Sequence, residues 1–426
     1  MTSISTDPGI SKDLRFIPLS YNNADSQTSA LRLILTLFPN WEHGEGKIEF
    51  IRFTDGITNT LLKAVKRRPG YTEEQIDNEA VLLRAYGKGT EVLIDRKKEA
   101  VSHSLLSQHK LAPALLARFQ NGLIYKFIRG RVCSPEDLTR EPVWRGVARK
   151  LGEWHATLPI ISAERTASIE NAKHDVPLTL DVPKSSPSLD QINAITPGKP
   201  TPNVWTIMQK WVFALPTTNE AEIRRKKVLQ EELERTVSEL GDTPGLGEDG
   251  LVFGHTDLLS GNVILLPYNT DKTQSQPPSI ESVAFIDYEY AVPSPAAFDI
   301  SNHFAEWGGF SCDFSVLPTR SVRRAFLSEY ISSYTSFSPT PLSSSEQDRL
   351  ATRLFDEVDR FRGVPGLYWG IWALIQATIS QIDFDYASYA EVRLGEYWAW
   401  RAEVDGSRER KGEEKPLRER RWAEED

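Results

Sequence analysis

Cysteine is nearly absent: Cys133 and Cys312 are the only two among 426 residues. Two thiols are too few for a disulfide framework or a thiolate zinc site, which fits a reducing compartment. Long apolar runs are missing too. "LRLILTLF" falls far short of the roughly 20 residues a membrane helix needs, and the opening "MTSISTDPGISKDLRF" lacks the apolar core of a secretory signal. Basic residues are in deficit. Lys and Arg number 50 against 59 Asp and Glu, a formal net charge of −9. That argues against a large nucleic-acid surface and suits a cationic ligand. No internal repeat is visible. The expectation is a cytoplasmic enzyme or binding protein without a transmembrane segment, long enough for about two or three packed units.

What the chain does contain changes character along its length. Residues 1–29 are polar and aperiodic, and predict a flexible or strand-like leader. Residues 30–130 read as a small β-rich lobe. "IEFIRFTDGITNTLLKAVK" predicts two strands turned at Asp55-Gly56, "AVLLRAYG" a third strand, and "ALLARFQNGLIYKFIRG" a hairpin at Asn121-Gly122. One helix, "DRKKEAVSHSLLSQHKL", is inserted among them. Residues 131–404 read as a larger helical lobe, with an exposed, mostly irregular insertion at about 161–202. Residues 405–426 form a charged tail, either a solvated helix extension or disordered. The fold class is therefore α+β and two-lobed.

The segment "LVFGHTDLLSGNVILL" raises the question of chemistry. His255, Asp257 and Asn262 spell H-x-D-x-x-x-x-N between two apolar runs. In phosphoryl-transfer enzymes of the kinase type such an aspartate accepts the proton of the attacking hydroxyl, and the asparagine five residues on holds Mg²⁺. The plainer alternative is a hairpin with a buried histidine and an Asx turn. Asp287 in "VAFIDYEY" shifts the balance, because a carboxylate in an apolar strand needs a cation or hydrogen bonds. The alternative there is an edge-strand acid facing water. In the first lobe, Thr58 and Asn59 at the strand turn are candidates to fold over phosphates. Arg84, paired with Glu99 on the following helix, stands where a kinase places its phosphate-binding strand lysine, unless the two are only an exposed salt bridge. In "FDISNHFAEW", Asp299, Asn302, His303 and Glu306 fall on one helix face. Trp369, Trp372 and Gln376 share another, and indole faces beside an acid make a pocket for an organic ammonium.

"GHTDLLSGNV", "FIDYEYA", "AFDISNHFAEW" and "YWGIWALIQ", in that order, resemble the choline/ethanolamine kinase family, over roughly residues 47–401. The resemblance implies a protein-kinase-like two-lobed fold with ATP as co-substrate, Mg²⁺ as cofactor, and an amino alcohol as acceptor. It implies Asp257 as catalytic base, Asn262 and Asp287 as metal ligands, and Arg84 on the ATP phosphates with Glu99 as partner. Glu306, Trp369, Trp372 and Tyr389 would enclose the ammonium, with His255 and Asp299 in support. Within the family the chain is more similar to ethanolamine kinases. Where choline kinases usually carry tyrosines after the Glu-Trp pair, it has Gly308, Gly309, Phe310 and Ser311. The implied reaction is phosphorylation of ethanolamine, the entry step of the CDP-ethanolamine route to phosphatidylethanolamine, with choline or dual activity and an inactive nucleotide-binding scaffold as rivals. A homodimer is compatible with the sequence. The family usually has Asn at the position of Thr256.

Overall fold

The structure, a computed structural model, describes residues 14–53, 59–87, 93, 95–160, 187–268, 279–338, 341–380 and 382–425. The turn containing Thr58 lies outside them. The chain divides into two compact units, Met1–Arg131 and Val132–Asp426.

The first unit is built on a six-stranded sheet. Its strands are β1 (Arg15–Ile17), β2 (Lys47–Phe53), β3 (Asn59–Arg67), β4 (Val81–Tyr86), β5 (Leu115–Phe119) and β6 (Gly122–Lys126), in the order β1-β5-β6-β4-β3-β2. β1 is parallel to β5, with Ile17 opposite Phe119, and the other pairs are antiparallel. The leader thus becomes regular at Arg15 because Ile17 has a buried place beside Phe119. Helices α1 (Ser26–Leu37), α2 (Asn40–His43), α3 (Glu73–Glu79) and α4 (Arg96–Gln108) complete the unit. Leu33 and Ile34 of α1 join Leu83, Phe119 and Ile124 in one apolar core.

The second unit is mainly helical. It opens with α5 (Pro135–Leu138) and α6 (Glu141–Thr157), followed by α7 (Leu189–Asn193), α8 (Val204–Ala214) and α9 (Glu220–Leu240). Residues 161–186 lie outside the described part. The rest of the expected insertion is more ordered than its composition suggests: Ser188 caps α7 by accepting from the Gln191 N–H, and Thr196 is buried.

Four short strands follow: β7 (Val252–Gly254), β8 (Val263–Leu265), β9 (Val283–Phe285) and β10 (Val292–Ser294). β8 pairs with β9 and β7 with β10, both antiparallel. The two runs flanking His255–Asn262 therefore do not form a hairpin with each other. They form nested pairs with the strands on either side of Asp287, which sets the segments 255–262 and 286–291 against one another. The outer pair is tight: a Cβ on Gly254 would come within 2.3 Å of the Ser294 hydroxyl.

The remaining helices are α10 (Ala296–Ala305), α11 (Arg320–Ser336), α12 (Ser344–Phe361), α13 (Val364–Ile379), α14 (Tyr386–Val404), α15 (Ser407–Lys411) and α16 (Leu417–Ala423). The charged tail is helical, as the first of the two alternatives has it, but it is not merely solvated. Trp422 of α16 is buried, its indole N–H donates to Asp359 at 2.7 Å, and its ring lies 4.0 Å beneath the Arg323 guanidinium carbon. The indole and the buried Arg418 and Glu419 together dock a short helix whose other residues are mostly charged. Among the described residues, no helix is long and apolar enough to cross a membrane.

Candidate active site

The loop after β7 is held from below by one helix. Asp299 of α10 accepts two backbone N–H groups, from His255 at 2.9 Å and from Thr256 at 2.6 Å. Asn302 donates to the Thr256 carbonyl at 2.9 Å, and His303 Nδ1 donates to the Leu258 carbonyl at 2.8 Å. The polar stripe expected to line an acceptor pocket thus spends three of its four members on the backbone of residues 255–258. Asp299 is itself braced by His155, whose Nε2 lies 2.8 Å away and whose Nδ1 reaches the Tyr330 hydroxyl at 2.7 Å. Burial works to raise the Asp299 carboxyl. The hydrogen bond and charge of His155, with the donors of the loop, outweigh it and hold it below the usual carboxylate range.

His255 joins the loop to the neighbouring strand. Its Nε2 faces the Ile286 carbonyl at 3.0 Å and its Nδ1 the Asp257 N–H at 3.4 Å. A carbonyl only accepts and an amide N–H only donates, so the proton sits on Nε2 and the ring is neutral. Burial lowers its pKa to about 4, in keeping with that tautomer. The Ile286 N–H also donates to the Asn262 carbonyl at 3.0 Å. These two bonds fix the residue before Asp287 against the residues that carry Asp257 and Asn262.

Asp257 and Asn262 are buried and Asp287 is half-buried. The Asn262 amide nitrogen donates to the Asp257 carbonyl at 2.7 Å and to its carboxylate at 3.1 Å. The amide oxygen is left to accept. The Asp257 carboxyl is pushed well above its ordinary pKa by burial first, then by repulsion from Asp287, Glu306 and Glu289. Three acids thus bear on one buried carboxyl, and a nearby cation would relieve that repulsion. Among the described residues, no group of three or more His, Cys, Asp or Glu side chains has the geometry of a protein-only metal cage. Mg²⁺ at phosphate sites needs none, since it takes one or two protein oxygens and draws the rest from phosphate and water. Hard oxygen donors on Asn262 and Asp287 fit that pattern.

Glu306 is buried and faces a partner that the sequence reading missed: Arg393 Nη2 lies 3.0 Å from its carboxylate. Burial raises the Glu306 carboxyl, and Arg393 pulls it back. Trp369 and Trp372 meet edge to face at 5.4 Å. Their indole N–H groups donate to Asn302 and to the Tyr290 hydroxyl, each at 2.8 Å. From Trp372 a run of rings continues through Tyr386 and Phe384 to Tyr389, which also meets Phe310. Phe310 and Phe384 are exposed at its edge. Gln376 is buried as well. Glu289, Tyr386 and Phe384 were legible only as pattern: Glu289 lies two residues past Asp287, both in the turn after β9 and not in the strand expected there, and "DFDYASY" spaces aromatics among acids.

In the first unit, Arg84 and Glu99 are both buried, with Nε and Oε1 3.6 Å apart. Arg96 ties them to Asn59, donating to Glu99 at 3.0 Å and to the Asn59 side chain at 3.3 Å. The pair is therefore not the exposed surface bridge of the alternative reading, and Arg96 is a cation the sequence reading missed.

Comparison with known proteins agrees with this geometry. The family model described as choline/ethanolamine kinase matches residues 50–398. Ethanolamine kinase 1 of Mus musculus is 32% identical over 388 residues, covering 88% of this chain and 89% of the relative. A protein named probable ethanolamine kinase from Arabidopsis thaliana is 30% identical over 372 residues, covering 86% and 83%. Among solved structures, an ethanolamine kinase of Plasmodium vivax aligns with a TM-score of 0.60 at 24% identity, over 87% of this chain and 88% of the other. A choline kinase of Cryptosporidium parvum aligns at 0.58 and 22%, over 89% and 97%. The two-lobed, protein-kinase-like architecture is thus shared with known kinases, and the chain belongs to the choline/ethanolamine kinase family.

Proposed function

We propose that this kinase transfers the γ-phosphoryl group of ATP to the hydroxyl of ethanolamine, giving phosphoethanolamine and ADP, the first step of the CDP-ethanolamine route. The observation that carries the reading is the convergence on one buried carboxylate, Asp257, of the Asn262 amide and the charges of Asp287, Glu289 and Glu306.

Asp257 accepts the proton of the ethanolamine hydroxyl and aligns its oxygen. That oxygen bonds to the γ-phosphorus as the bond to the ADP oxygen breaks. The Asn262 amide oxygen and the Asp287 carboxylate would hold Mg²⁺, which would supply positive charge to the phosphate oxygens. The remaining work is positioning: α10 holds the loop, and Asn262 keeps the Asp257 carboxylate from turning. In the first unit, Arg84 with Glu99 and Asn59 are assigned to ATP phosphate contacts. Glu306 takes the ammonium end, against Trp369, Trp372 and Tyr389.

The test is ADP release with ethanolamine, choline and serine as competing acceptors. Ethanolamine is expected to give the highest kcat/KM. A clear preference for choline would favour the second reading, which the run of rings from Trp372 to Phe310 supports, since ring faces suit a quaternary ammonium. Asp257→Ala and Asp287→Ala are each expected to lower kcat by several orders of magnitude with the fold retained. Near-normal turnover in either variant removes the mechanism.

A further inference from the structure

Glu306 does not stand alone with Arg393. The Arg393 guanidinium is shared: Nη2 lies 3.0 Å from Glu306, and Nε lies 3.2 Å from Glu396. The other Glu396 oxygen is 3.1 Å from Nε of Arg418, on the C-terminal helix α16. Arg418 also faces Glu419 at 2.9 Å, and Glu419 faces Arg362 at 3.0 Å. Charges alternate in sign along this ladder, from the ammonium-binding end to the tail. All its members are buried except Arg362, which is partly so. Arg418 and Glu419 lie beyond residues 50–398, the part matched by the family model.

Such a ladder transmits position. A buried charge stays ionised and in place only while its partner is held. Arg393 serves two acids, and its division between them depends on how well Glu396 is satisfied from the other side. Without Arg418, Glu396 has only Arg393 to neutralise it, and the guanidinium turns toward it. Glu306 is then left desolvated without a counter-charge. α16 is firmly seated for this task, through the Trp422 contacts and the Arg320 N–H, which donates to the Glu424 carbonyl at 2.9 Å.

We infer that Arg418 of the C-terminal helix is a positioning residue for the acceptor site, holding Glu306 in place through Glu396 and Arg393. This rests on the reading of Glu306 as the group that meets the ammonium. In the full-length enzyme, Arg418→Met is expected to raise KM for ethanolamine roughly two- to thirtyfold, the span of modulation by residues that touch neither ligand. KM for ATP and kcat should stay within about twofold of wild type, since the ATP-facing residues are untouched. Arg418→Lys should restore most of the loss. In a Glu306→Gln background, Arg418→Met should add little.

Each other result overturns something specific. An unchanged or lowered ethanolamine KM in Arg418→Met defeats the relay. So does a parallel loss in both KM values and kcat, which marks a general structural role, or a full additive loss in the Glu306→Gln background. Where Arg418→Met is poorly soluble, Arg418→Gln, which also removes the charge, gives the same readout. If Glu306→Gln alone leaves ethanolamine KM unchanged, the acceptor-site reading itself fails, and the relay with it.

Discussion

At the scale of single residues, Thr256 is the most informative. Its φ is +58°, in the left-handed region that β-branched side chains rarely enter, at a cost of roughly 1–2 kcal/mol. The surroundings hold it there: its N–H goes to Asp299, its carbonyl accepts from Asn302, and its hydroxyl donates to the Tyr290 carbonyl at 2.7 Å. Asn is at ease at positive φ and carries its own donor. Thr256→Asn is therefore expected to match or exceed wild-type stability, by up to about 1 kcal/mol, with activity retained. Thr256→Val keeps the strain and leaves the buried Tyr290 carbonyl without its donor, for a loss of about 1–3 kcal/mol. Denaturant midpoints of the three proteins check both; a Val variant as stable as wild type would remove the argument. The departure from the family's usual residue was legible in the sequence, but its backbone cost was not, since nothing in the letters H-T-D reports a dihedral angle. The same holds for Arg393. An arginine four residues after Tyr389 reads as a surface cation until the fold buries it beside Glu306.

At the scale of elements, sequence patterns were most legible where one periodicity ran unbroken. β2 and β3, the β5–β6 turn at Asn121-Gly122, and helices α4 and α10 fall where their spacing predicts. Partnership was harder to read. The strands around residues 255–262 look like a hairpin because local spacing cannot say that each pairs with a strand tens of residues away. α12 and α13 are separated by a break at Arg362-Gly363. Gly363 is needed there because a Cβ would meet the Trp400 ring at 2.4 Å. One turn later, a Cβ on Gly366 would lie 2.5 Å from the Arg393 carbonyl oxygen. Backbone cannot yield cheaply, so α13 and α14 owe their close approach to this glycine. That approach seats Trp372 of α13 against Tyr386 of α14, ring centroids 5.7 Å apart. Gly366→Ala is expected to cost roughly 1–3 kcal/mol of stability by overpacking. By moving α14 outward it should also raise ethanolamine KM more than ATP KM. A variant with wild-type stability and kinetics would show that the contact is slack.

At the scale of the whole molecule, the pattern is of buried polar groups concentrated in a chain with few thiols and no membrane-length helix among its described residues. Several of these groups titrate, so stability is tied to pH in opposing senses. His103, His255 and His303 are each lowered by burial to about 4 from an ordinary 6.5. Below pH 6.5 the unfolded chain takes up protons that these native rings refuse, so stability present above 6.5 is lost as pH falls toward 4. Asp257 and Glu306, raised by burial, act the other way and offset part of this in the second unit. His103 lies in the first unit, where its Nε2 donates to the Pro113 carbonyl at 3.0 Å and its ring rests 4.8 Å from that of Tyr125. It gives the clean case. A single imidazole with this shift should account for about 2 kcal/mol of stability lost between pH 6.5 and 5. His103→Gln keeps a donor for Pro113 but cannot titrate. Its thermal midpoint should start lower at pH 7.5, because the ring packing is lost, and then fall less steeply than wild type on acidification. Curves that descend in parallel over that range would mean that His103 enters its buried site without refusing a proton, and that acid sensitivity in the first unit has another source.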